Sequence, residues 1–87
     1  MYSAKDIRRR IEEKKKETVA NQLKTVSSIT EYMFKNAVRE KDFSIGEALI
    51  AETLSQISEY GFDIRIVKQN GDSFQYVISV PEEKDEW

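Results

Sequence analysis

The four residues Glu59-Tyr60-Gly61-Phe62 constrain the fold of this chain more than any others, because the hydrophobic period changes across them. Before them, Ala48, Leu49, Ile50, Thr53, Leu54, Ile57 and Tyr60 recur at helical spacing and give a helix over residues 46 to 60 a wide apolar face. After them, apolar and polar residues alternate with the two-residue period of a strand. Gly61 ends the helix. With Gly61 at C′, Phe62 falls at C″ and Ile57 at C3, the hydrophobic pair that accompanies a Schellman turn. Leu49, Leu54 and Ile57 are expected among the least accessible residues.

Residues 62 to 80 read as a β-hairpin around Asn70-Gly71, and its register follows from burial. A two-residue Asn-Gly turn pairs Val67 with Phe74 and Ile64 with Val77, which splits the apolar residues between two faces. A three-residue loop, Gln69-Asn70-Gly71, with Gly71 left-handed in a bulge, pairs Ile66 with Phe74, Ile64 with Tyr76 and Phe62 with Ile78. Phe62, Ile64, Ile66, Phe74, Tyr76, Ile78 and Val80 then share one face. A one-residue slip reverses a strand's facing, so burial selects the bulged turn. Pro81 ends the last strand.

In the N-terminal half, Ser3 followed by Asp6 resembles a capping box and starts a helix at Ala4. Its apolar stripe is thin: Ile7 and Ile11 lie on one face, and Lys14, Lys15 and Lys16 fill the next turn. Arg8 with Glu12, Arg9 with Glu13 and Glu12 with Lys16 are opposite-charge pairs at i,i+4, each worth ~0.2–0.5 kcal/mol. From Val19 a broader stripe runs through Leu23, Val26, Thr30, Met33 and Ala37. Two readings stay open: one stripe continues through Ser27-Ser28, or Ser28-Ile29-Thr30-Glu31 caps a new helix over residues 28 to 40. The second is favoured, with residues 18 to 27 helical or frayed. Phe43-Ser44-Ile45 is either a short edge strand or, as Ser44-Ile45-Gly46-Glu47, the cap of the following helix. The expected architecture is α+β, with three helices packed on one face of a small antiparallel sheet made of a short strand and a C-terminal β-hairpin. It divides into a basic N-terminal helix (1–17), a compact α+β domain (18–80) and an acidic, disordered tail (81–87).

Function is narrowed first by what the 87 residues lack. With no cysteine and no histidine, disulfide staples, zinc sites of the usual kind and every Cys or His nucleophile or base drop out. Glu47, Glu52 and Glu59 lie five and seven residues apart, too far apart for a catalytic carboxylate pair, and the three glycines form no phosphate-binding loop. The chain is therefore read as non-enzymatic, with no cofactor and no metal. No apolar run approaches the ~18 residues that span a bilayer, and the expected location is the cytoplasm, with no membrane partner.

A formal charge of −2 hides strong segregation. Residues 1 to 24 carry a net +4, residues 25 to 80 a net −3, and residues 81 to 87 a net −3. The basic helix therefore supplies the candidate partner-binding residues: Ile7, Arg8, Arg9, Arg10, Ile11, Lys14, Lys15 and Lys16. Trp87, the only tryptophan, joins them because tryptophan is favoured in binding hot spots. The bland counterpart is a solvated helix laced with Glu12, Glu13 and Glu17, whose charges weaken any field felt by phosphate. Tyr32, Phe34, Tyr60, Phe74 and Tyr76 offer a base-stacking platform or, more simply, core. A winged-helix DNA reader fits the order of elements but lacks a second helix before the recognition helix, and residues 46 to 60 hold no Lys or Arg. The leading reading is a protein that binds and modulates another protein. A sponge for a nucleotide or other small phosphorylated ligand is second, and a DNA-binding regulator third. Because Ile7 and Ile11 need a cover, a homodimer is also expected.

The start Ser3-Ala4-Lys5-Asp6-Ile7-Arg8, the helix ending in Ala37-Val38, Phe43-Ser44-Ile45, and Glu59-Tyr60-Gly61-Phe62-Asp63-Ile64 before a final apolar strand resemble small accessory proteins of tailed bacteriophages. That resemblance implies a non-enzymatic protein of the bacterial host cytoplasm. It would act by binding: inhibiting a host protein, sequestering a defence signal or joining an assembly.

Overall fold

A computed structural model describes residues 1–81. The elements run α1 (Ala4–Asn36), β1 (Glu40–Ile45), α2 (Ala51–Glu59), β2 (Asp63–Asn70) and β3 (Ser73–Ser79). All pairing is antiparallel, and β3 lies between β1 and β2. The α+β class stands as expected, but two helices take the place of three. The expected restart at Ser28 does not occur: the Ser28 hydroxyl donates to the carbonyl of Lys24, and that of Thr30 to the carbonyl of Ser27, both inside one helix of 33 residues. Two serines cost a helix only a few tenths of a kcal/mol each. Unbroken docking of Gln22, Val26 and Met33, all buried, outweighs that cost.

α1 ends earlier than the expected residue 40, in a Schellman turn without glycine. The Val38 N–H donates to Met33 O and the Ala37 N–H to Phe34 O, with Ala37 left-handed at φ 53°. A Cβ disfavours this conformation, so Ala37→Gly is expected to stabilise the fold by about 0.5–1 kcal/mol. A rise in the urea midpoint at constant slope checks this.

At the end of α2 the expected Schellman turn is present: Phe62 N–H to Ile57 O, Gly61 N–H to Ser58 O, and Gly61 at φ 89°. Its beginning differs from expectation. Ser44 belongs to β1 opposite Gln75, so it caps nothing, and α2 opens at Ala51 rather than near residue 46. Phe43 decides this competition, since in the strand its ring stacks on Tyr76 at 5.8 Å between centroids.

The hairpin keeps the expected facing but reaches it by another route. Gly71 and Asp72 form a two-residue turn with only Gly71 at positive φ, the φ pattern of a type II′ turn. The irregularity lies at Val67, between Ile66 and Lys68, not in the turn. Ile66 therefore pairs with Tyr76 and Ile64 with Ile78, which corrects the expected Ile66–Phe74 and Ile64–Tyr76 pairs. Had the ladder continued unbroken from the turn, Val67 would oppose Tyr76 and both isoleucines would face away. The bulge restores them to the buried face. Ile66 and Val80, both expected to face the helices, are 50% and 42% exposed because the edges of the sheet outrun the helical cover.

Buried Phe43, Tyr76 and Ile78 of the sheet meet Val26 and Met33 of α1 and Leu49 and Ile57 around α2. Leu54, expected among the least accessible residues, only packs against this cluster partly buried.

Candidate functional site

The candidate site is the free end of α1. Its start is held by the capping box: Ser3 Oγ accepts from the Asp6 N–H and Asp6 Oδ2 from the Ser3 N–H, each at 3.2 Å. Residues 1 to 14 are exposed throughout, and the first residues of α1 to be partly covered are Lys15, Thr18 and Val19. A helix of 33 residues is about 50 Å long, and the longest dimension of the molecule is 60 Å. The radius of gyration, 16.0 Å, exceeds the ~12 Å of a compact chain of this length. The first three turns of α1 thus project beyond the body as an arm.

Ile7 and Ile11, 52% and 55% exposed, lie on this arm. At 100° per residue Ile11 lies about 20° from the direction of Gln22, so the arm prolongs the face that the body buries. With Tyr2, Asp6, Arg9, Arg10 and Glu13 the two isoleucines line a shallow furrow of about 590 Å³, whose polar rim carries both signs of charge. Arg10 lies 3.6 Å from both Glu13 and Glu17, and such exposed pairs contribute ~0–1 kcal/mol. Arg8 and Lys14 are exposed on the same arm, and Lys16 is exposed just past its root. Lys15 is separated from this group: its Nζ lies 3.4 Å from Glu52 Oε1 and ties the root of the arm to the first turn of α2. Trp87 lies outside the described residues.

A backbone amide hydrogen bond at the start of α2 holds the Glu52 carboxyl below its usual 4.5. Desolvation opposes this shift, and Lys15 adds to it by hydrogen bond and charge. A lowered carboxyl pKa favours the folded chain above about pH 4.5, and that contribution fades as pH falls through the lowered value.

What anchors the arm is a residue the sequence analysis passed over. Gln22 is 1% exposed and uses both ends of its carboxamide: Nε2 donates to Ala48 O at 3.0 Å, while Oε1 accepts from the Ile50 N–H at 3.2 Å and from the Thr53 hydroxyl at 2.7 Å. It satisfies the backbone N–H of Ile50, the N-cap residue of α2, one of the donors that the first turn of a helix leaves without a partner; the Ile50 side chain makes no cap hydrogen bond of its own. The Tyr76 hydroxyl accepts from the Leu49 N–H at 3.0 Å and pins the same loop from the sheet. The available signal is the spacing Gln22, Val26, Ile29, Met33, a 4-3-4 stripe in which glutamine reads as a polar interruption. Of the aromatic candidates, Tyr76 is buried and Phe74 half-buried, whereas Tyr32, Phe34 and Tyr60 are exposed. The Lys41 Nζ lies 5.1 Å from the centre of the Tyr32 ring.

Among the described residues no group of three or more acidic side chains is placed to hold a metal ion, and no helix is long and apolar enough to cross a membrane. The chain matches no family model, no curated protein and no solved structure.

Proposed function

We propose that this chain is a non-catalytic binding protein that engages another protein through the α1 arm. The observation that carries the reading is the half-exposed Ile7–Ile11 stripe, held away from the body on a rigid helix and flanked at helical spacing by Arg8 and Lys14. An apolar stripe beside cations fits a partner with an apolar cleft rimmed by acidic residues, where the isoleucines provide affinity and the charges orientation. Nucleic acid fits less well, because Glu12, Glu13 and Glu17 interleave with the cations and two of these acids hold Arg10. Self-association through paired arms brings two like-charged helices together. Inhibition of a host protein in a bacterial cytoplasm is the narrower form of this reading, motivated by the phage resemblance.

The test is capture from bacterial lysate with the wild-type chain and with an Ile7→Glu, Ile11→Glu double variant. Both substitutions lie on the arm, so the fold is expected to be unchanged by circular dichroism. A stoichiometric protein retained by the wild type and lost by the variant is the expected result. Equal retention by the variant would overturn the assignment to the arm. Light scattering is expected to give the 10.2 kDa monomer; a dimer abolished by the double variant would hand the arm to a second copy instead.

A further inference from the structure

A second apolar surface lies on the body, away from the arm. Between α1 and the C-terminal end of α2 runs a groove of about 440 Å³, lined by Leu23 and Val26 of α1 and by Ile57, Tyr60 and Phe62. Tyr60 is 79% exposed. Lys24 also lines the groove, is itself exposed, and takes part in no ion pair among the described residues. An occupant of matching chemistry carries negative charge and a large apolar side chain.

The residues that follow β3 in the sequence have this chemistry, and β3 itself ends beside the groove. Ser79, the last residue of β3, pairs with Asp63, which follows Phe62. The Val80 N–H donates to Arg39 O at 2.8 Å and fixes the point of departure one residue before Pro81. Beyond it come Glu82, Glu83, Lys84, Asp85, Glu86 and Trp87, with a net charge of −3. Six extended residues reach about 20 Å, whereas paired strands stand only about 5 Å apart, so the groove is within range. We propose that residues 82–87 of the same chain dock along this groove, with the Trp87 indole covering its apolar lining and the neighbouring acids facing Lys24. This assignment is independent of the one made for the arm.

Trp87 is the only tryptophan, so its fluorescence reports the docking directly. In the full chain its emission is expected to lie to the blue of the free peptide Glu82–Trp87, with acrylamide quenching several-fold weaker. Lys24→Glu and Tyr60→Ser, both at exposed positions, are each expected to move emission and quenching toward the peptide values while circular dichroism stays unchanged. Peptide-like emission in the wild type would overturn the proposal. So would indifference to both substitutions. A blue shift that disappears on dilution would assign the groove to the tail of a second copy and overturn the intramolecular assignment.

Discussion

Replacing Gln22 by leucine is expected to destabilise the fold by about 3–5 kcal/mol, although leucine has similar bulk and better helix propensity. The change leaves the Ile50 N–H, the Thr53 hydroxyl and the Ala48 carbonyl without the partner each now has. A buried polar group stripped of its partner costs ~1–3 kcal/mol, so three lost contacts dominate any apolar gain. Set against a total stability of roughly 4–13 kcal/mol for a chain of this length, the variant is expected to be unfolded at modest urea concentrations. Thr53→Val alone is expected to cost ~1–2 kcal/mol. The two changes together should cost less than their sum, because the Thr53 hydroxyl bonds Gln22. A Gln22→Leu loss below ~1 kcal/mol would show that water replaces the carboxamide.

The second large effect is expected at Ile78, on the central strand and 0% exposed. Ile78→Ala is expected to cost about 3–5 kcal/mol, near the upper end for a large-to-small change, because neighbours on both edge strands and α1 hold the cavity open. Ile66→Ala is the matched control. Ile66 occupies the same face of the neighbouring strand but is 50% exposed, so its loss is expected to stay below ~1 kcal/mol. Equal losses at the two positions would mean that the sheet's cover extends past the residues assigned to the core.

Both effects are confined to the body, and that is what makes the arm testable. Gln22 and Ile78 hold the fold, whereas Ile7 and Ile11 lie half-exposed outside it. Changes on the arm therefore report recognition rather than folding.

The parts legible in the sequence were those governed by local chemistry. The Ser3–Asp6 box, the Gly61 stop with its Ile57–Phe62 pair, and the positive φ of Gly71 depend on residues within a few positions of one another, and each is present. The facing of the hairpin was legible too, because a strand with alternating apolar residues has only one side to bury. Other features were choices between locally equivalent options, and contacts distant in sequence decided them. Ser28 can cap a helix or sit inside one, and docking of Val26 and Met33 made it interior. Ser44 can cap or pair, and the stacking of Phe43 on Tyr76 made it a strand. The bulge can lie in the turn or at Val67, and either restores the same face. Gln22 is the extreme case: its three partners lie 26 to 31 residues away. Helical spacing places its side chain on the inner face, but only the assembled α1–α2 contact places acceptors and donors around it. The sequence by itself determined which residues seek burial and where the chain turns; the tertiary structure alone decided how far α1 runs and which part of it is left uncovered, because those depend on where the body ends.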